Sequence, residues 1–293
     1  MDVTEIAEVR RFSRLVTQRV GALDDHFLAR DRPLGEARLL WEIGGGTSDL
    51  RELRTRLDLD SGYLSRMLRS LEAAGLVTVT VSARDGRVRV AELTAAGRAE
   101  RDELDRRADD HAESLLAPLN AGQRGRLVAA MAEVDRLLTA ALVTVEETDP
   151  DHPHARYCVG EYFAEIDRRF ETGFDPGASI SATAAELRQP KGLLLVARLR
   201  EEPVGAGALK FVDGEPPQLK RMWVAESVRG LGIGRRLLAE LESRAAEHGH
   251  DRIRLETNNS LVEAIGMYRA AGYVEVEPYN DEHYAHHWFE KRI

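Results

Sequence analysis

At 293 residues the chain fits two domains better than one core, and with 43% hydrophobic and 31% charged residues, and no apolar run near the roughly 18 residues a bilayer needs, it reads as globular rather than membrane-spanning. The start Met1-Asp2-Val3-Thr4-Glu5 is acidic, unlike the basic lead of a secretory signal, and the one cysteine, Cys158, excludes an internal disulfide or a cysteine-rich zinc site, so the cytoplasm is the expected compartment. A net charge of −9 excludes blanket nucleic-acid affinity, yet residues 50–91 carry eight Arg against five acids, so any DNA-facing surface is expected in that window.

In chain order, Ile6, Val9, Phe12, Val16, Val20, Leu23 and Phe27 recur every three or four residues, which predicts one long amphipathic helix ended by Arg32-Pro33. A short helix follows over 35–43 and stops at Gly44-Gly45-Gly46. Ser48 or Asp49 caps a third helix through Leu57, and Asp60 or Ser61 caps a fourth that runs to Ala74 and Gly75. The period then changes to two: Val77, Val79 and Val81 alternate with polar residues, Asp85-Gly86 turns, and Val88-Arg89-Val90 returns as the paired strand. Thr94 caps a helix towards Leu116, and Leu127, Met131, Val134, Leu138 and Ala141 mark a last one. The segment Thr148-Asp149-Pro150-Asp151-His152-Pro153 permits no regular element, so domains are expected at 1–147 and 153–293.

Beyond it the pattern predicts a helix near 155–170, an irregular stretch, strands at 193–200 and 204–211, a Pro216-Pro217 loop, and a strand at 218–224. A helix over 232–248, a strand at 252–257, a helix over 260–271 and strand-like segments at 273–279 and 285–291 complete the chain.

In the first half, helix, turn, helix and a two-stranded wing form a DNA-docking geometry, with the second helix in the major groove. On that helix Leu64, Met67, Leu68 and Leu71 make the buried stripe, leaving Ser61, Tyr63, Ser65, Arg66 and Arg69 outside, where hydroxyls and guanidinium groups suit base edges and phosphates. Arg84 and Arg87 flank the wing turn. Leu50-Arg51-Glu52-Leu53, Gly62 through Val77, the wing, and Leu93-Thr94-Ala95-Ala96-Gly97 together resemble the MarR family of regulators over about residues 5–140. The resemblance implies a homodimer, made by the first and last helices, that reads double-stranded DNA at a pseudo-palindromic site; many relatives also bind a small effector. Gly62 and the short wing depart from the pattern.

In the second half, Lys220-Arg221-Met222-Trp223-Val224 runs into Arg229-Gly230-Leu231-Gly232-Ile233-Gly234-Arg235, a strand feeding a glycine-rich turn that opens a helix. Free N–H groups at such a helix start bind phosphate, and glycines let the backbone approach a pyrophosphate. The spacing is neither the dinucleotide G-x-G-x-x-G nor an NTPase loop. It matches R/Q-x-x-G-x-G/A, and with Glu256-Thr257-Asn258-Asn259 and Ala264 through Tyr273 it resembles the GNAT acetyltransferases over about 155–293.

That resemblance implies an α/β fold with a mixed sheet whose parallel strands near 218–224 and 252–257 splay apart, a crossover helix at 232–248, and acetyl-CoA as co-substrate. Met222, Trp223, Val224, Arg229, Gly230, Leu231, Gly232, Ile233, Gly234, Arg235 and Asn259 are the residues it implies for the cofactor. The Val224 N–H would polarise the acetyl carbonyl, and Tyr268 would protonate the leaving thiolate. Relatives often carry Glu two residues before the Lys220 position; here Gln218 stands there, and the base is left open between water relayed to Glu256, or to His283, and an amine that arrives neutral. Arg169, Glu256, Tyr279 and His283 are expected around the acceptor pocket, and no metal is expected, since His286 and His287 would point to opposite faces of a strand.

The expected function is therefore a transcriptional regulator fused to an N-acetyltransferase for a small amine, the acidic balance favouring a cationic one. The alternatives are an acyl-CoA sensor without turnover, and an acetyltransferase whose first half only dimerises.

Overall fold

The computed structural model describes residues 2–23, 26–44, 48–82 and 85–293. The chain divides into two units between Val128 and Ala129.

The first unit opens with α1 (Val3–Arg19), capped by Asp2 and Glu5 in a reciprocal capping box. The helix ends eight residues before Phe27, shorter than the apolar period predicts. Gly21 takes φ 69° and the N–H groups of Val20 and Ala22 close back onto Val16 and Thr17, which terminates the helix chemically. No residue of α1 is buried: Val9, Phe12 and Leu15 are all exposed. Phe27 is instead buried in a 3-10 turn, edge-on to Trp41.

Next come α2 (Leu34–Gly44), β1 (Ser48–Asp49), α3 (Leu50–Leu57) and α4 (Ser61–Ala73). Two of the expected stop glycines, Gly45 and Gly46, lie outside the described residues. Asp49 caps α3 through the Arg51 N–H and Asp60 caps α4 through the Tyr63 N–H. The strands β2 (Val77–Val81) and β3 (Arg89–Leu93) form the wing, joined by β1 in an antiparallel sheet ordered β1-β3-β2. The unit's core is Leu39, Leu40 and Ile43 of α2 against Leu53, Leu64, Leu68 and Leu71 of the helix pair.

Thr94 caps α5 (Ala95–Leu116) through the Gly97 N–H, while its hydroxyl donates to the Gly75 carbonyl. A Cβ at Gly97 would lie 1.9 Å from the Leu76 carbonyl oxygen, so only glycine lets α5 start this close to the end of α4. After it runs α6 (Ala121–Ala141), which spans the division between the units and buries none of its residues.

The second unit is a seven-stranded mixed sheet ordered β4-β5-β6-β7-β8-β10-β9. Its elements are β4 (Val143–Glu147), α7 (Pro153–Arg169), β5 (Gly192–Leu199), β6 (Glu202–Val212), β7 (Glu215–Val224), α8 (Ile233–Glu247), β8 (Arg252–Thr257), α9 (Val262–Ala270), β9 (Val274–Val276) and β10 (His287–Arg292). Residues 143–147 pair antiparallel with β5, so the expected boundary at 147 to 153 falls inside this unit. Alternation of Val143 and Val145 with polar residues makes the segment an edge strand, and the turn at 148–152 joins it to α7 instead of separating domains.

Pro216 and Pro217, expected in a loop, lie within β7. They sit where the β6 pairing is irregular and before the point where β7 pairs with β8, so their missing N–H groups break no regular ladder. Among the described residues the parallel pair is β7 with β8, which meet at Gln218 opposite Arg254. Towards Val224 the strands part, as the splayed sheet requires. A core of Leu195, Leu209, Leu237, Leu241, Leu255 and Phe289 fixes α8 and the sheet around that opening.

Candidate active site and candidate nucleic-acid interface

Strand β7 carries a bulge at its midpoint. Between Ala206 opposite Trp223 and Ala208 opposite Lys220, β7 holds one residue more than β6, and Arg221 takes φ 60°. The bulge resets the strand before Val224. Ala225 donates its N–H to the Val204 carbonyl on the β6 side at 2.9 Å. Successive N–H groups alternate along an extended strand, so the Val224 N–H points the other way, into the splay.

The glycine-rich turn then brings the chain to α8. Gly230 takes φ 84° and Gly232, the N-cap, φ 80°. No side chain caps this helix, so its first N–H groups and its dipole face outward. A Cβ at Gly232 would meet nothing within 4 Å; its constraint is conformational. At Gly234 the constraint is space, because a Cβ would come within 3.1 Å of the Met267 sulfur.

The turn borders a cleft of about 670 Å³ lined by Met222, Trp223, Val224, residues 229, 230 and 232–235 and, across from them, Tyr162, Glu165 and Tyr268. Four arginines line it: Arg136, Arg169, Arg229 and Arg235. Arg229 donates Nε to the Val224 carbonyl and pairs with Glu165, which also accepts from Arg169. Arg169 continues to Glu263 at 2.6 Å and to the Ser260 carbonyl. The cleft wall is thus a chain of ion pairs in which Glu165, 12% exposed, is shared by two guanidinium groups.

A second cavity, about 100 Å³, adjoins the cleft along β7 and β8. Lys220, Arg221, Glu256, Glu282 and Tyr284 line it, together with the aromatic face of α7 at Tyr162, Phe163 and Phe170. Lys220 pairs with Glu256, and the Tyr279 hydroxyl donates to the same carboxylate at 2.7 Å. Glu282 accepts from the Ser179 hydroxyl and from the Ile180 N–H. Tyr162, Met222 and Tyr268 line both spaces.

Tyr268 is 5% exposed. Burial first, then Tyr162 and Glu256, push its hydroxyl above the ordinary tyrosine range, so it keeps its proton at neutral pH. Burial likewise raises Tyr162 to about 12. Cys158 packs in the core with its Sγ 3.6 Å from the Gly205 carbonyl, and burial raises its thiol to about 12, which leaves it unreactive. Among the described residues no group of three or more His, Cys, Asp or Glu side chains is placed to hold a metal.

The sequence-predicted residues separate by position. Met222, Trp223, Val224, Arg229, Gly230, Gly232, Ile233, Gly234 and Arg235 all line the cleft. Leu231 does not: it packs against the hydrophobic core. Asn259 is also outside, exposed, with its N–H on His286 Nδ1. Its neighbour Asn258 is the buried one, holding the Tyr284 carbonyl and the Ser260 N–H. Glu256 lines the second cavity and Tyr279 is bonded to it. Arg169 lines the cleft instead, and His283, edge-on to Tyr284, lines neither. Glu165, expected beside the acceptor pocket, lines the cleft, and the sequence assigns no site role to Arg136, Tyr162 or Arg221. Arg136 and the pair Tyr162 and Glu165 come from helices whose patterns signal only amphipathicity.

In the first unit Ser61, Tyr63, Ser65, Arg66 and Arg69 are exposed on α4, with the Arg66 guanidinium 5.7 Å from the Tyr63 ring. Glu72 Oε1 accepts the Val79 N–H and ties the wing to this helix. Arg87 is exposed at the wing turn, where its N–H donates to Asp85; Arg84 lies outside the described residues. Among the described residues no helix is long and apolar enough to cross a membrane.

The acetyltransferase (GNAT) family matches residues 160–273, and the MarR family matches residues 31–88. The chain is 31% identical over 122 residues to an IAA acetyltransferase of Azospirillum brasilense, covering 41% of this chain and 80% of that protein. It is 31% identical over 113 residues to the N-acetyltransferase YsnE of Bacillus subtilis, covering 38% of this chain and 75% of that one. A crystal structure of a GNAT-family acetyltransferase from Staphylococcus aureus is similar at 18% identity and a TM-score of 0.44, over 51% of this chain and 98% of that one.

Proposed function

The chain belongs to the GNAT acetyltransferase family, joined to a MarR-family segment, and from that premise we propose that its second unit moves the acetyl group of acetyl-CoA to a small amine while its first unit binds DNA as a homodimer. The observation that carries the catalytic reading is the position of Tyr268, on the border between the phosphate-suited cleft and the second cavity. A cofactor in the one and an acceptor in the other would meet at that tyrosine.

The pyrophosphate would sit on the uncapped start of α8, within a cleft whose four arginines suit a polyanion. The amine nitrogen attacks the thioester carbon and a C–N bond forms. The oxyanion is stabilised by the Val224 N–H. The C–S bond then breaks, and the thiolate takes the Tyr268 proton. The excess proton on nitrogen leaves through water to Glu256, which lines the acceptor cavity where Gln218 cannot serve. Solvent restores the tyrosine.

For the first unit, α4 offers exposed hydroxyls and guanidinium groups of the kind that contact base edges and phosphates, and the wing lies tied beside it. The exposed apolar residues of α1 and α6 support dimerisation through those helices.

The test is thiol release from acetyl-CoA across a panel of small amines, beside retardation of genomic DNA fragments at low salt. Release with at least one amine and retarded DNA are expected. Tight CoA binding without release would replace transfer by acyl-CoA sensing, and failure to retard any DNA would leave the first unit a dimerisation module.

A further inference from the structure

Arg221 is the one buried guanidinium of the acceptor cavity, 9% exposed at the bulge of β7. Its Nη2 donates to the Ser181 hydroxyl at 2.9 Å and to the Ala182 carbonyl at 2.7 Å. Its carbon lies 4.1 Å from the Phe163 ring centre and 5.8 Å from that of Tyr162. Its Nη1 is buried and has no hydrogen-bond partner. Among the described residues Arg221 makes no ion pair, and the cation is held by neutral oxygens and ring faces alone.

Burial without an anion is costly, because a guanidinium out of water keeps its charge and needs its donors filled. Burial lowers its pKa from the ordinary arginine value, a sign that no carboxylate compensates. The two carboxylates of the same cavity are already engaged. Glu256 holds Lys220 and Tyr279, and Glu282 holds Ser179 and Ile180. The cavity therefore offers one unspent positive charge with an unfilled donor, in a backbone position that is itself strained for a residue with a Cβ.

We propose that Arg221 receives a carboxylate of the acceptor, so that the amine acetylated here belongs to the amino-acid class and is not a simple cationic amine. This rests on the acetyl-transfer reading of the same cavity, and it runs opposite to the preference that the chain's overall negative charge suggests. Fork-shaped guanidinium and planar carboxylate match in geometry and charge. The aromatic faces of Tyr162 and Phe163 exclude water from the pair.

The experiment compares α-amino acids with their decarboxylated amines and their primary amides in the thiol-release assay. At least one acid is expected to show a kcat/KM tenfold or more above both partners. In Arg221→Met that preference disappears through a raised acceptor KM, with the KM for acetyl-CoA unchanged. Equal use of acid, amine and amide by the native protein overturns the proposal, whether or not the variant folds. If nothing is turned over, calorimetric titration of the same compounds into the CoA-loaded protein separates the two ideas. Acid-selective binding keeps the carboxylate seat and sinks the transferase reading; unselective binding or none sinks the seat.

Discussion

The Arg229 side chain reaches back five residues to the Val224 carbonyl, with Nε 3.0 Å from the oxygen. One guanidinium therefore links the glycine-rich turn to the end of β7, while its far edge rests on Glu165. Arg229 orients the turn through these protein contacts. The carbonyl and N–H of a strand residue share a side, so this bond also fixes the direction of the Val224 N–H.

Arg229→Lys keeps the charge but cannot span both partners, because a single ammonium replaces the fork. The KM for acetyl-CoA should rise about tenfold, the size expected when a positioning contact is lost. Steady-state kinetics at saturating acceptor measures it, and an unchanged KM would leave the contact without a role in binding.

Gly232→Val places a β-branched residue at φ 80° in otherwise open space. Strain of about 1–2 kcal/mol should shift the turn out of its anion-binding shape. Acetyl-CoA titration should show at least a tenfold loss of affinity, with Gly232→Ala falling between. Native affinity in the valine variant would place the pyrophosphate elsewhere.

Tyr268→Phe should reduce kcat by about 10²–10⁴-fold, the range for a lost general acid, and leave acetyl-CoA affinity intact. Because burial holds the Tyr268 hydroxyl above its ordinary value of 10, the native enzyme should show no alkaline fall in kcat below pH 10 from this group. A pH profile of single turnovers checks both statements; an alkaline limb near pH 8 would assign the proton to another group.

Glu186 tests a structural support. It pairs with Lys210 at 2.7 Å and closes a capping box with Thr183, anchoring the segment that carries Ser181 and Ala182. The lysine, and then the Thr183 N–H, hold its carboxyl at about 2, below the ordinary 4.5. A depressed folded value means stability present above pH 4.5 and lost as pH falls towards 2. Glu186→Gln should cost about 1 kcal/mol at pH 7, allowing for solvent screening, and nothing near pH 2. Urea unfolding at the two pH values gives the comparison.

For DNA, Arg69→Ala removes an exposed α4 cation whose Nε rests on the Ser65 carbonyl. Affinity should fall for all sequences alike, and the slope of log affinity against log salt should drop by about 1 if Arg69 meets a phosphate. A loss confined to one base position would make it a base reader instead.

Periodicity and turn chemistry determined the succession of helices and wing, because both are local, while the parallel-strand crossover was implied by the motif resemblance. Asp49, Asp60 and Thr94 cap the helices that their side chains predict. The glycine-rich turn was legible for the same reason: a positive φ and an uncapped helix start depend on a few adjacent residues. What only the tertiary structure decided was which distant groups share a space. Residues 143–147 became an edge strand because β5 offered its backbone, and Leu231 turned inward because the core had room for it. Arg169 joined the cleft because its partners, Glu165 and Glu263, stand there. Arg221 lies in plain view in the strand motif, yet its isolation as a buried cation arises from side chains 40 to 60 positions away, and no local pattern encodes a missing partner.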